Sequence, residues 1–180
     1  LFSCQQHKTH SNVKAAGAVL YCQKDAEILL LLADHGPGIH SRRGWAGFGG
    51  GRDQSETVAE AAVRETEEET KGYFSRQTLL KTIKKQKPIL SGAFAFYFIE
   101  IPYVDAENIT KHKSTNSHHT YNERGPYAWI PFSDVERCLK IGNWQIKESY
   151  LPQKRQQSYY WSTWIGNMKD AKEQNQIPWK

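Results

Sequence analysis

The sequence predicts an α+β domain built as a mixed β-sheet flanked by helices. Three observations predict it. Short apolar segments bounded by turn residues recur at 13–22, Glu27–Ala33, 89–101 and 127–130, as strands do. Residues 53–71 and 156–174 carry apolar side chains at helical spacing. The two kinds of segment do not alternate regularly along the chain, which favours a mixed sheet with helices packed against it.

The chain has 180 residues, enough for one ordinary domain with a real core. Its 38% hydrophobic, 24% charged and 12% aromatic residues describe a globular chain and exclude a disordered one. No apolar run approaches the roughly 18 residues that a membrane span needs. The formal charge of +5 favours anionic ligands. Lys and Arg are scattered rather than striped, so nucleic acid is not singled out, and the dense runs at 81–87 and 154–155 read as solvated faces. Cys4, Cys22 and Cys138 have no metal-ligand spacing, and an odd count is no disulfide framework. Cys22 and Cys138 read as structural thiols. The opening Leu-Phe-Ser-Cys resembles the end of a bacterial lipoprotein signal, so a lipid anchor at Cys4 stands as the alternative to a cytoplasmic protein.

In chain order, residues 1–11 read as a polar tail and 12–180 as a single domain. Strands at 13–22 and 27–33 are joined by a tight turn at Lys24-Asp25. Residues 34–44 hold Gly36, Pro37, Gly38 and Gly44 and form a loop, followed by a short strand at 45–48. The helix over 53–71 is opened by Asp53 and Glu56 as a capping-box-like pair and closed by Gly72. A strand is expected at 79–83 and a stronger one at 89–101, where Phe94, Phe96 and Phe98 put three rings on one core face. Residues 106–125 read as a long polar loop, and 127–130 as a strand. Ser133 is the candidate cap of a short helix through Cys138, and the last helix spans 156–174 with Tyr160, Trp161, Trp164 and Met168.

The chemistry is concentrated in the helix over 53–71. At about 100° per residue, Ala62, Glu65 and Glu69 fall within about 40° of Val58, with Ala61 and Glu68 alongside. The stripe that should face the core therefore turns acidic. Glu65 and Glu69 are like charges at i and i+4, and Glu67, Glu68 and Glu69 crowd the helix end where the dipole disfavours anions. Such a stripe asks for a cation, and carboxylate oxygens suit Mg²⁺ or Mn²⁺. A solvated acidic face is the plain alternative; the preceding Phe48-Gly49-Gly50-Gly51, whose backbone can approach a ligand closely, weighs against it.

Gly50, Glu56, Arg64, Glu65, Glu68 and Glu69, within the run GRDQSETVAEAAVRETEEETKG preceded by Gly50, resemble the signature box of the Nudix hydrolases. The pattern is Gly, five residues, Glu, seven residues, Arg-Glu, an apolar residue, any residue, Glu-Glu, any residue, Gly. Thr66 departs from it at the apolar position, and Gly72 stands one place late. The resemblance implies an α/β/α sandwich with the box as loop-helix-loop. It implies divalent metal at Glu65, Glu68, Glu69 and the carbonyl of Gly49, and supporting roles for Glu56 and Arg64. The implied reaction is Mg²⁺-dependent hydrolysis of a diphosphate linkage in a nucleoside diphosphate derivative: a nucleoside triphosphate, ADP-ribose, a nucleotide sugar or a dinucleoside polyphosphate. A general base is still needed. Glu123, six residues before Trp129, and Glu69 are the two candidates.

Arg42 and Arg43 are candidates to hold the second phosphate through a fork of donors. Trp45, Tyr127 and Trp129 either stack on a base or belong to the core. His112, His118 and His119 lack ligand spacing and read as loop residues. Two other functions compete: a non-catalytic nucleotide-binding module, against which all the box glutamates are present, and an RNA 5′-end pyrophosphohydrolase, supported only by the charge.

Overall fold

The computed structural model describes residues 10–35 and 44–179. The backbone of the fold is one six-stranded mixed sheet. Strand β1 (Ala15–Lys24) lies at its centre. Its second half pairs antiparallel with β2 (Glu27–Ala33), and its first half pairs antiparallel with β3 (Phe48–Gly51). On its other edge β1 runs parallel to β5 (Phe94–Glu100), beyond which lies β4 (Ile89–Ser91). β6 (Tyr127–Pro131) closes the far side against β2. Asp25 and Ala26 make the β1–β2 turn with φ of 52° and 62°, the left-handed pair that a two-residue hairpin requires. β1 and β3 approach so closely that a Cβ on Gly17 would lie 2.0 Å from the Phe48 carbonyl oxygen.

Alternation along the strands divides the core in two. Ala16, Ala18, Leu20, Leu31, Ala33, Ala95, Tyr97 and Ile99 face helices α1 (Val58–Glu69), α2 (Arg76–Ile83) and α3 (Ala106–Lys111). Val19, Tyr21, Leu30, Leu32, Phe96, Phe98, Ala128 and Ile130 face α4 (Phe132–Ile141) and α5 (Ser162–Glu173). β2 is covered on both sides, which is why it reads as an unbroken leucine run. The result is the expected α/β/α sandwich. Cys22 and Cys138 are buried free thiols, and no helix among the described residues is long and apolar enough to cross a membrane.

Several local expectations are corrected. Residues 76–83 form a helix, not a strand: Leu79 and Ile83 are buried at i and i+4, and the Ser75 side chain caps it by accepting from the Thr78 N–H. The run 89–101 is a hairpin of two strands, turned at Gly92 with φ 59°. The polar stretch 106–125 contains α3, capped by Asp105, and a 3₁₀ turn at His119–Asn122. Ser133 lies inside α4 and bonds Glu27; the residue at the cap position is Pro131. The last helix begins at Ser162 rather than 156.

α1 starts later than expected because Thr57 and Glu60 form the capping box: the Glu60 N–H donates to Thr57 Oγ1 at 3.1 Å and the Thr57 N–H to Glu60 Oε2 at 2.8 Å. At its other end the Gly72 N–H bonds the Glu67 carbonyl and the Lys71 N–H bonds that of Glu68. Lys71 thus takes the left-handed position, φ 57°, that a glycine would ordinarily fill, with Gly72 one residue beyond. Thr66 fits its apolar position because its hydroxyl donates to the Ala62 carbonyl at 2.7 Å. Thr57→Ala is expected to cost about 1 kcal/mol, read as a lowered urea midpoint with unchanged m; an unaltered midpoint would remove the capping box from the stability of α1.

Candidate active site

β3 and α1 meet backbone against carboxylate. The Gly49 N–H donates to Glu69 Oε2 at 2.8 Å. Gly50 lies so close to Glu65 that a Cβ there would stand 2.4 Å from its Oε2. The glycine run is therefore the surface that lets the glutamates reach the strand.

Arg64 organises the exposed side of this contact. Its guanidinium bonds Glu56 at 2.6 and 3.0 Å, Glu65 at 2.7 Å and the Gly51 carbonyl at 2.8 Å, with Glu68 at 3.5 Å. These bonds hold the Glu56 carboxyl below its usual range. Glu56 is thus a partner of Arg64, as expected of it.

Arg124 organises the buried side. Only 5% exposed, it donates to Glu69 Oε2 at 3.0 Å and to the carbonyls of Ala33, Asp34, Ala46 and Gly47. The Tyr127 hydroxyl donates to the Glu69 carbonyl at 2.5 Å. Sequence reasoning missed Arg124, which stands in a polar loop with no signal of burial.

The glutamates differ in electrostatics. Burial pushes the Glu65 carboxyl up to about 7 against the pull of Arg64, with Glu69 and Glu68 adding to the rise. Burial also raises Glu69, opposed by Arg124 and the Gly49 N–H. Two neighbouring carboxyls are thereby held above their usual range.

A cavity of about 590 Å³ opens over this cluster, within the size range of small-molecule sites. One wall carries Gly49, Gly50, Glu65, Glu68, Glu69 and Glu123. Glu123 is half-exposed, its carboxylate 3.7 Å from His119 Nε2. The apolar part of the lining comes from β5 and α5, including Phe94, Phe96 and Met168, and adjoins Gly49 through the Phe94 ring. The expectation that these phenylalanines are core alone is therefore too narrow, since Phe94 and Phe96 also border the cavity.

The structure does not bring the predicted stacking tryptophans to this cavity. Trp45 is completely buried and its Nε1 donates to the Gln157 carbonyl at 2.8 Å, so it has no free face for a base. Trp129 packs beside Tyr103 on the α3 side, its Nε1 bonded to the Val104 carbonyl at 2.7 Å. Tyr127 is buried in the core beside Phe48. Arg42, Arg43 and Cys4 lie outside the described residues.

The NUDIX domain family model matches residues 11–153. The chain belongs to the Nudix family. Its assignment as a pyrophosphohydrolase follows, with the acidic helix as the Nudix box. A Nudix hydrolase of M. smegmatis, RenU, is similar at 14% identity and TM-score 0.48, covering 91% of this chain and 86% of that one. A C. elegans Ap4A hydrolase binary complex is similar at 22% identity and TM-score 0.38, covering 72% and 85%. The NUDIX domain of Shewanella oneidensis NrtR, complexed with ADP ribose, is similar at 14% identity and TM-score 0.45, covering 88% and 86%. No curated protein matches the chain.

Among the described residues no three His, Cys, Asp or Glu side chains stand as a preformed metal cage. The reason is visible in their bonding: Glu65 and Glu68 turn oxygens to Arg64, and Glu69 turns one to Arg124 and Gly49. The donor set nevertheless suits a hard divalent cation, being oxygen only and carrying more negative charge than Arg64 and Arg124 relieve.

Two outcomes follow from the charges. Arg124→Met leaves Glu69 buried without its partner and is expected to cost about 3–5 kcal/mol in urea unfolding; pairing it with Glu69→Gln costs less than the sum of the two single changes. Glu65 holds its proton more tightly when folded, so its contribution to stability falls as pH rises from about 4.5 to about 7. In chelator, Glu65→Gln removes that slope and melts progressively higher than the wild type between pH 5 and 8. A melting difference that stays flat over this range would contradict the burial of this carboxyl.

Proposed function

We propose that this protein hydrolyses the diphosphate linkage of a nucleoside diphosphate joined to a second group, with Mg²⁺ as the cation and Mn²⁺ as a substitute. Glu65, Glu68, Glu69 and the carbonyl of Gly49 would hold the ion. The observation that carries this reading is that three carboxylates of α1, the glycine backbone of β3 and Glu123 line one cavity. When bound, such an ion neutralises phosphate charge and makes water a better nucleophile.

The chain's own groups take the remaining roles. Arg64 fixes the direction of Glu65 and Glu68, while Arg124 and Gly49 fix that of Glu69. Glu69 Oε2 already accepts two hydrogen bonds, which favours the half-exposed Glu123 as the base that takes the proton of the attacking water. Arg42 and Arg43 are proposed as phosphate contacts from the sequence alone. Residues 12–180 are proposed as one hydrolase domain, since α5, near the chain's end, packs on the sheet and lines the cavity.

The test is a hydrolysis screen over nucleoside triphosphates, ADP-ribose, nucleotide sugars and dinucleoside polyphosphates. Activity on at least one is expected, abolished by chelator and restored by Mg²⁺. Glu65→Gln and Glu69→Gln should each remove nearly all of it; retention by Glu69→Gln would place the ion elsewhere. Glu123→Gln should lower kcat by about 10²–10⁴-fold, and an unchanged kcat would return the base role to Glu69.

A further inference from the structure

A second cavity, of about 860 Å³, lies beside the start of α1 and shares no lining residue with the one over the carboxylates. Its size is that of a small-molecule site. The inner part of its lining is aliphatic: Val58 of α1 and Ile83 of α2 are buried, with Leu80 half-buried beside them.

Two polar groups interrupt this apolar surface. Tyr97 of β5 lines the cavity and is 4% exposed, yet its hydroxyl has no hydrogen-bond partner among the described residues. Burial alone pushes its phenol up to about 12, with no hydrogen bond or neighbouring charge contributing. A buried tyrosine hydroxyl ordinarily finds a partner, and a position that served packing alone would be filled as well by Phe. His10 stands on the same lining, and its Nδ1 is likewise buried without a partner among the described residues.

The outer part of the lining is basic. Lys81, Lys84 and Lys87 border the cavity, all three exposed, and none forms an ion pair among the described residues. A lysine near the end of α2 suits the helix dipole, but three around one cavity exceed what that dipole calls for. The one carboxylate among the described lining residues, Glu60, is engaged at Oε2 by the Thr57 N–H of the capping box. The cavity thus joins an aliphatic surface, an unmatched hydroxyl and an excess of positive charge.

We propose that this cavity is a second ligand site, for a small acidic amphiphile: an aliphatic chain lies against Val58, Leu80 and Ile83, and its carboxylate or phosphate head accepts from the Tyr97 hydroxyl and is neutralised by the three lysines. An aliphatic body is favoured over a nucleobase because, His10 apart, Tyr97 is the one aromatic ring among the described lining residues, and at 4% exposure it offers no face for stacking. The site is independent of the hydrolytic reaction proposed above.

NMR titration of the whole chain with octanoate, octyl phosphate, octanol, acetate and inorganic phosphate tests this. Octanoate or octyl phosphate is expected to bind at least about tenfold more tightly than octanol, which lacks the charge, and than acetate and inorganic phosphate, which lack the chain. The tighter of the two names the head group. Tyr97→Phe should weaken that binding about tenfold without lowering the urea midpoint, since the hydroxyl has no partner to lose. The exposed triple change Lys81→Gln, Lys84→Gln and Lys87→Gln should weaken it by at least as much. No binding of either acid, equal binding of octanol or of the chainless ions, or affinity unaltered in both variants would overturn the site. Binding to phosphatidylglycerol vesicles without binding of the soluble acids would overturn it in favour of a membrane surface.

Discussion

The carboxylate of Glu69 is the point at which the separate parts of this structure are tied. It is nearly inaccessible to water, and a buried carboxylate is costly unless it is paired and hydrogen-bonded. Its partners come from different places in the chain: the Gly49 N–H from β3 and the Arg124 guanidinium from the segment before β6. Arg124 in turn binds carbonyls at the end of β2 and just before β3. Satisfying one acidic side chain thus sets how α1, β2, β3 and β6 sit against each other.

That arrangement explains how a helix can bury its acidic face against a sheet. The first turns of α1 pack in the ordinary way, through Val58, Ala61 and Ala62. The last turns carry glutamates instead, and the strand beneath them is glycine, so no side chain fills the space between. The charge remaining on Glu65 and Glu68 is shared with Arg64 at the edge and opens onto the cavity. The two ends of that cavity have opposite chemistry because they are built from opposite faces of the sheet: the glutamates belong to the α1 layer and the aromatic wall to the α5 layer.

Much of the fold was legible in the sequence wherever a segment is long and its period clear. β1 and β2 lie close to where they were expected, α1 and α5 are the expected helices starting five and six residues late, and Gly17, Gly49 and Gly50 are needed for close approach. Short segments were not legible. Leu79-Leu80 and Ile83 suit a strand or a helix equally as a brief apolar run, and the cap at Ser75 resolves the choice in favour of a helix. α3 is only six residues long, too short to show a period. Trp45 and Trp129 could not be sorted from base-stacking residues by composition, because burial depends on which layers close over them.

The sequence alone identified the family: six residues at fixed spacing match the Nudix box, and a helix of 100° per residue places its glutamates together without reference to the rest of the chain. Only the tertiary structure decided what surrounds them. The partnership of Glu69 with Arg124 spans 55 positions, and the aromatic wall joins β5 to a helix more than sixty residues later. Local periodicity carries no record of such pairings. They arise when the sheet brings distant segments together and each buried charge and ring must find a neighbour.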